Sequence, residues 1–88
     1  MKKKPPSLPP AKLTFSRNFS LARRVQNLSQ EQIGELADLH RTYIGQVERG
    51  AAIPTLDAAE RIARAVGLEL WEILEPSFSV DALIERRP

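Results

Sequence analysis

Signals that start and end helices recur at short intervals along this chain. Ser29 and Gln32 have the spacing of a capping box, in which each side chain bonds to the other residue's backbone N–H at the first helical turn. Asn27, Gly50 and Gly67 stand where a left-handed residue ends a helix. Because no segment alternates apolar and polar residues for long enough to predict a strand, we predict an all-α fold.

The apolar residues between these signals follow helical spacing. Phe15, Phe19, Ala22 and Val25 form one stripe on a first helix, and Leu56 heads the stripe expected to face inward from a fourth. The stretch after the fifth helix has room for one more short helix. The five predicted helices cover about residues 17–26, 30–37, 41–49, 56–66 and 69–75.

Composition divides the chain into three segments. Residues 1–13 hold four prolines and four lysines, and are predicted to form an extended arm because paired prolines disfavour a helix. Such an arm either tracks DNA phosphates or is a solvated tail. Residues 14–76 form the predicted helical domain, and residues 77–88 form a tail whose short helix contributes to a dimer interface.

The composition also excludes several kinds of site. The 88 residues include no cysteine and one histidine, so we expect no disulfide, thiol nucleophile or metal site. No glycine-rich phosphate loop and no paired carboxylates in a predicted cleft indicate an enzyme, and no cofactor is implied. The chain lacks an apolar run of ~20 residues, and no apolar segment follows MKKKPP, which predicts a cytoplasmic protein outside the membrane.

Charge is distributed unevenly along the chain. Residues 1–27 carry seven basic side chains and no acidic one, whereas residues 28–50 have a net charge of −2 and residues 51–88 of −3. A basic end beside an acidic remainder favours contact between that end and a polyanion such as nucleic acid.

Two short predicted helices separated by residues 38–40 are typical of a helix-turn-helix. In this motif the first helix crosses the DNA backbone, and the second lies in the major groove, which is ~12 Å wide. The first turn of the second helix must then present side chains to the edges of the bases. In this chain that helix presents His40, Arg41, Thr42 and Tyr43, with Gln46 one turn later.

The segment LSQEQIGELADLHRTYIGQVERG, followed by PTLDAAERIARAVGL, resembles the Cro/repressor-type helix-turn-helix family. Within it, HRTYIGQVERG is similar to the small controller proteins of restriction–modification systems. The resemblance covers about residues 15–76 and implies a five-helix, lambda-repressor-like DNA-binding domain whose second and third helices form the helix-turn-helix. It also implies a homodimer on a partly palindromic operator, with antitoxin-type, phage-like and other small regulators remaining as alternatives to a controller protein.

Three positions depart from the family's pattern. Gly34 stands where alanine is usual, Asp38 where a turn glycine is usual, and Gly45 where serine is common. Gly34 still permits close approach of the two helices, and aspartate tolerates the left-handed region better than most residues. The loss of a serine at position 45 removes one polar group from the third helix.

The resemblance assigns DNA contacts position by position. Arg41, Thr42 and Gln46 occupy the base-reading positions, where arginine pairs with guanine, glutamine with adenine, and the threonine methyl with thymine. Gln30 begins the second helix and is expected to contact a phosphate, helped by the helix dipole. Arg49, at the far end of the third helix, is expected to contact phosphate as well.

Other positions allow two interpretations. Arg23 and Glu48 stand where the family usually joins the first and third helices by an ion pair, and we favour that structural role because Glu48 would repel phosphate. His40 either contacts DNA or caps the third helix. Tyr43 either contacts a base edge or phosphate, or belongs partly to the core.

Several apolar residues near the C-terminus exceed what a domain of this size buries. We predict that Leu70, Trp71, Leu74 and Phe78 lie in a homodimer interface. The sequence as a whole therefore predicts a homodimeric, sequence-specific regulator of transcription that binds double-stranded DNA. The alternative is an interaction module on the same fold that binds a protein partner, such as a toxin.

Overall fold

The computed structural model describes residues 9–85. Within that range all regular structure is helical and no strand occurs, as the sequence predicted. None of the helices in the same range is both long and apolar enough to cross a membrane. The helices are α1 (Ala11–Val25), α2 (Gln30–Ala37), α3 (Arg41–Glu48), α4 (Leu56–Ala65), α5 (Leu70–Ile73) and α6 (Asp81–Glu85).

Helix α1 begins earlier than the sequence predicted. It starts at Ala11, well before the predicted start near residue 17, and directly follows Pro10. Proline is compatible with this position because the first N–H groups of a helix have no intrahelical partner. The predicted extended arm is therefore wrong for residues 11–13, and residues 1–8 lie outside the described part of the chain.

Left-handed residues end the first four helices, as predicted. Asn27, Asp38, Gly50 and Gly67 have φ angles of 61°, 58°, 75° and 81°. After each of them, the next N–H donates to a carbonyl five positions earlier, at distances of 2.8 to 3.1 Å. This Schellman arrangement satisfies the last carbonyls of the helix and turns the chain sharply toward the next one.

The core lies between α1, α2, α3 and α4, with α5 packed against it. Phe19, Ile33, Ile44 and Ile62 are each 0% exposed. Leu56 was expected to join them but is 76% exposed, so that prediction is wrong. Because side chains on a helix point back toward its N-terminus, the side chain of this first residue of α4 extends past the end of the helix.

Two side-chain amides, one on α1 and one directly after it, join this helix to later helices. The Nδ2 of Asn18 donates to the carbonyls of Ile73 at 2.9 Å and Glu75 at 2.8 Å. The Nε2 of Gln26 donates to the carbonyl of Val66 at 2.8 Å. These bonds satisfy carbonyls at the ends of α4 and α5 that those helices leave without a partner.

Candidate nucleic-acid interface

The turn between α2 and α3 brings two stretches of backbone into close contact. The N–H of Leu39 donates to the carbonyl of Gly34 at 2.9 Å, around the left-handed Asp38. An ideal Cβ built on Gly34 would lie 2.6 Å from the carbonyl oxygen of Leu39, closer than real Cβ atoms approach. Glycine is therefore required here by the close approach of the backbone, which sequence reasoning recognised only as a tolerated substitution.

Helix α3 has one buried and one exposed face. Ile44 and Val47 are fully buried and hold the helix against the core. Arg41, Thr42 and Gln46 are exposed, and their side chains make no hydrogen bond to the rest of residues 9–85. Since a guanidinium, a hydroxyl and an amide all carry hydrogen-bonding groups, this face offers donors and acceptors to a ligand from outside.

His40 caps α3. Its Nδ1 accepts a hydrogen bond from the backbone N–H of Thr42 at 3.0 Å, so the capping interpretation is confirmed. An accepting Nδ1 carries no proton, which places the proton of the neutral ring on Nε2. The exposed imidazole therefore has one N–H that is available to donate to a ligand.

Two further residues, one in α3 and one at its C-terminal end, differ in how exposed they are. Tyr43 is half-buried and packs against the core, which supports the core interpretation and leaves part of the side chain accessible. Arg49 follows the last helical residue as the C-cap and is exposed. It lies at the far end of the helix, and its contact with phosphate stays a prediction.

The predicted ion pair between Arg23 and Glu48 is present and bidentate. Nε of Arg23 donates to Oε1 of Glu48 at 2.9 Å and NH2 donates to Oε2 at 2.8 Å. NH1 of Arg23 donates to the carbonyl of Leu28 at 2.9 Å, which ties the pair to the loop before α2. The side chains are only 16% and 7% exposed, so neither of them faces a ligand.

Gln30 connects α2 to this ion pair. Its Nε2 donates to Oε1 of Glu48 at 3.0 Å, and the residue is half-buried. Burial by itself would raise the pKa of the Glu48 carboxyl, but hydrogen bonds from Arg23, Gln30 and Ser20 outweigh burial and lower that pKa. Glu48 is therefore held as a carboxylate that organises α1, α2 and α3 together.

A second area, which we call the apolar surface, comprises the exposed Ile53 and Leu56 and the half-buried Leu70 and Leu74. These residues line a shallow cavity of about 190 Å³ whose walls include the buried Phe15. Ile53 is 72% exposed and Leu56 is 76% exposed. Leu70 and Leu74 were predicted to face a partner. Ile53 and Leu56 were missed, although an isoleucine in the short loop after α3 was a signal for them.

The other two predicted interface residues lie elsewhere. Trp71 is 70% exposed, but it lines shallow depressions beside Glu72 rather than the apolar surface. Phe78 is 8% exposed and belongs to the core of the protomer, so its prediction as an interface residue is wrong. The loop before α6 folds this ring inward, which helical spacing alone does not reveal.

Fold and geometry together define a helix-turn-helix protein of the Cro/repressor type. Residues 21–72 match the model of the helix-turn-helix family, which is more than half of the chain. The chain belongs to this family. The match includes α2, the turn, α3 and α4, so the exposed face of α3 lies within it.

Two curated relatives are control proteins. The chain is 43% identical to control protein C.BamHI of Bacillus amyloliquefaciens over 49 residues, which are 56% of this chain and 60% of that protein. It is 40% identical to control protein C.SmaI of Serratia marcescens over 60 residues, 68% of this chain and 71% of that protein.

A solved structure agrees with the same relationship. The restriction-modification controller protein C.AhdI from Aeromonas hydrophila superposes with a TM-score of 0.67 at 32% identity. The superposition covers 70% of this chain and 94% of C.AhdI. The helical arrangement described above is therefore shared with a controller protein over nearly its whole length.

Proposed function

We propose that this chain is a sequence-specific regulator of transcription that binds double-stranded DNA with α3 in the major groove. The exposed face of α3 carries the proposal, because Arg41, Thr42 and Gln46 lie on a rigidly held helix with no partner among residues 9–85. A protein that reads base edges needs hydrogen-bonding side chains of this kind on one helix face. Membership of the helix-turn-helix family supports the same function.

Each exposed side chain of α3 has a proposed role in that complex. Arg41 pairs with O6 and N7 of a guanine, Gln46 pairs with N6 and N7 of an adenine, and Thr42 packs its methyl against a thymine. His40 donates from Nε2 to a base or a phosphate, and Tyr43 contacts one of the same groups through its hydroxyl. Phosphate contacts fix the register of the helix, and base contacts supply specificity.

We propose that the chain acts as a homodimer formed through the apolar surface. Ile53 and Leu56 are largely exposed and adjoin Leu70 and Leu74 around one cavity. A two-fold dimer buries the same patch from both protomers, which removes twice the apolar area from water. The loop that carries Ile53 directly follows α3, so a contact there couples the spacing of the two recognition helices to dimerisation.

The proteins that this chain resembles indicate which kind of regulator we propose. C.BamHI and C.SmaI are named control proteins and C.AhdI a restriction-modification controller, and we place this chain in that group of regulators. In that role it would act in the bacterial cytoplasm on a partly palindromic operator. The proposed activity is binding, without catalysis and without a cofactor.

In-vitro selection from random duplex DNA, at near-physiological salt, tests the proposal. The wild-type chain should recover a palindromic motif, whereas Arg41→Ala should lose preference at one base pair in each half-site. Arg64→Ala is the matched control, because Arg64 is an exposed arginine of α4 that pairs with Glu60 away from α3. If the wild-type chain enriches no motif, sequence-specific DNA binding is contradicted.

The same variants separate DNA binding from a protein-interaction function. Replacing Arg41 and Gln46 together by alanine should abolish binding to the selected duplex and leave any complex with a protein partner intact. Both residues are exposed and make no internal hydrogen bond within the described range, so the substitution should not disturb the fold. A chain that captures a protein partner but no duplex would favour the interaction module.

A further inference from the structure

Gly45 lies inside α3, where serine is common in the family. An ideal Cβ built on this glycine would lie 3.2 Å from Oε1 of Gln30 and 3.3 Å from NH1 of Arg49. The ends of two polar side chains, one from α2 and one from the end of α3, therefore converge over the same point. Gly45 is buried although its helix lies at the surface.

The ion pair beneath this point determines how the amide of Gln30 is oriented. The carboxylate of Glu48 can only accept hydrogen bonds, so the atom that faces it at 3.0 Å must be Nε2. The carbonyl oxygen Oε1 then lies on the side of Gly45, 3.2 Å from the position of a Cβ on that glycine. Within residues 9–85 Gln30 and Arg49 make no hydrogen bond to each other, and they share the space that the missing side chain of Gly45 leaves.

We propose that Gly45 is a positioning residue for DNA binding. Its missing side chain leaves room for the guanidinium of Arg49 to lie against α3 beside the amide of Gln30, where that cation contacts a phosphate. Gln30, which is hydrogen-bonded to Glu48 of the buried ion pair, forms the other wall of that space. This inference rests on the proposed function and adds to it a cause for the placement of Arg49.

The variant Gly45→Ala tests the proposal because stability and binding should change in opposite directions. Alanine favours a helix more than glycine does, so the melting temperature should rise by about 5 °C. The new Cβ displaces Gln30 and Arg49, so affinity for the selected duplex should fall about tenfold, the effect of one charge-assisted hydrogen bond. Unchanged affinity would overturn the proposal, as would a variant that is both less stable and weaker in binding.

A double-mutant cycle with Arg49→Ala separates positioning from a direct clash between the new methyl group and DNA. Arg49→Ala should flatten the dependence of log affinity on log salt concentration by about one unit, as expected for one lost phosphate contact. In that background, Gly45→Ala should have no further effect on affinity. An equal loss in both backgrounds would mean that the methyl group obstructs DNA directly, and the proposal would be wrong.

A measurement without DNA keeps this inference distinct from the proposed function. The ¹⁵N relaxation of the Nε–H group of Arg49 should report an ordered side chain in the wild-type protein. Motion of that group should increase in Gly45→Ala and Gln30→Ala and stay unchanged in Arg41→Ala. If Arg49 is equally mobile in all four proteins, the positioning role fails even when DNA binding is established. Order without any DNA binding would instead contradict the proposed function.

Discussion

The two exposed areas of this domain, the face of α3 and the apolar surface, differ in what supports them. Beneath α3 lies a layer of directional bonds: the bidentate pair of Arg23 and Glu48, the amide of Gln30 and the His40 cap. Ile53 and Leu56 instead line a shallow cavity together with other apolar residues such as Phe15 and Ala59.

The difference follows from what each area is proposed to do. Hydrogen bonds to base edges are sensitive to distance and angle, so a helix that reads them must be held in one orientation. An apolar contact between protomers depends mainly on area removed from water and is not directional. The core therefore supports α3 through directional hydrogen bonds, whereas the apolar surface depends on contacts that are not directional.

The largest expected effect comes from breaking the directional layer. Glu48→Ala leaves Arg23 and Gln30 without their shared acceptor, and should lower the free energy of unfolding by ~3 kcal/mol, as for other buried pairs that lose one partner. Urea denaturation measures this change. Glu60→Ala is the control, since its pair with Arg64 is exposed and should contribute less than ~0.5 kcal/mol. Equal losses in the two variants would contradict the contrast between buried and exposed support.

The second effect concerns the face of α3 itself. Arg41→Ala should weaken binding to the selected duplex by ~2 kcal/mol, the discrimination expected of a bidentate arginine–guanine pair. Its stability should stay within ~0.5 kcal/mol of wild type, because Arg41 is exposed and has no internal hydrogen bond in the described range. Fluorescence anisotropy and thermal melting check the two values. A large loss of stability would show that Arg41 supports the fold instead.

The third effect concerns the apolar surface. Leu56→Ser should raise the dimer dissociation constant at least tenfold, because burying a leucine contributes ~1.5–3 kcal/mol and ~1.4 kcal/mol is a factor of ten. Analytical ultracentrifugation measures it, with Leu36→Ser as control because Leu36 is also exposed, at 64%, and lies on α2. If Leu36→Ser weakens the dimer more than Leu56→Ser does, the interface lies on α2 and not on the apolar surface.

The smallest expected effect is the pH dependence of stability, which is weakest near neutral pH. It separates the hydrogen-bonded layer beneath α3 from the apolar surface. The folded state lowers the pKa of Glu48 below its ordinary value of 4.5, so the resulting stabilisation is present above that value. This stabilisation is lost as the pH falls below 4.5 and through the lower pKa that the Glu48 carboxyl has in the folded state. The stability difference between wild type and Glu48→Gln should therefore shrink from ~pH 7 to ~pH 3. The stability difference between wild type and Leu56→Ser should not show this acid dependence.

Much of the fold was predictable because local signals agree with the tertiary structure. The capping box of Ser29 and Gln32 is present, and the left-handed residues lie where the sequence placed them. The start of α1 was not predictable from local signals, because lysines and prolines mask a helix that begins directly after Pro10. That helix is stabilised by tertiary contacts, such as the bond from Ser16 Oγ to the carbonyl of Val47 at 2.7 Å.

The candidate site was predictable where the polarity or charge of a residue determines whether the residue is exposed or paired. Arg41, Thr42 and Gln46 are exposed on α3, and the Arg23–Glu48 pair is present, in agreement with the sequence analysis. Contacts between distant elements were not predictable in the same way. The sequence shows that residue 45 is a glycine, but only the folded chain shows that two side chains from different elements meet above it.

The turn at Gly34 has a consequence for engineering new specificity. Exchanging α3 between relatives is an obvious way to change the sequence that a regulator recognises. In this chain the carbonyl of Leu39 occupies the place of a Cβ on residue 34, so a donor whose second helix has alanine there must have a different turn. Recognition residues transplanted without their own turn would enter the groove at the wrong angle. The turn, from Gly34 to Arg41, should therefore be exchanged together with α3.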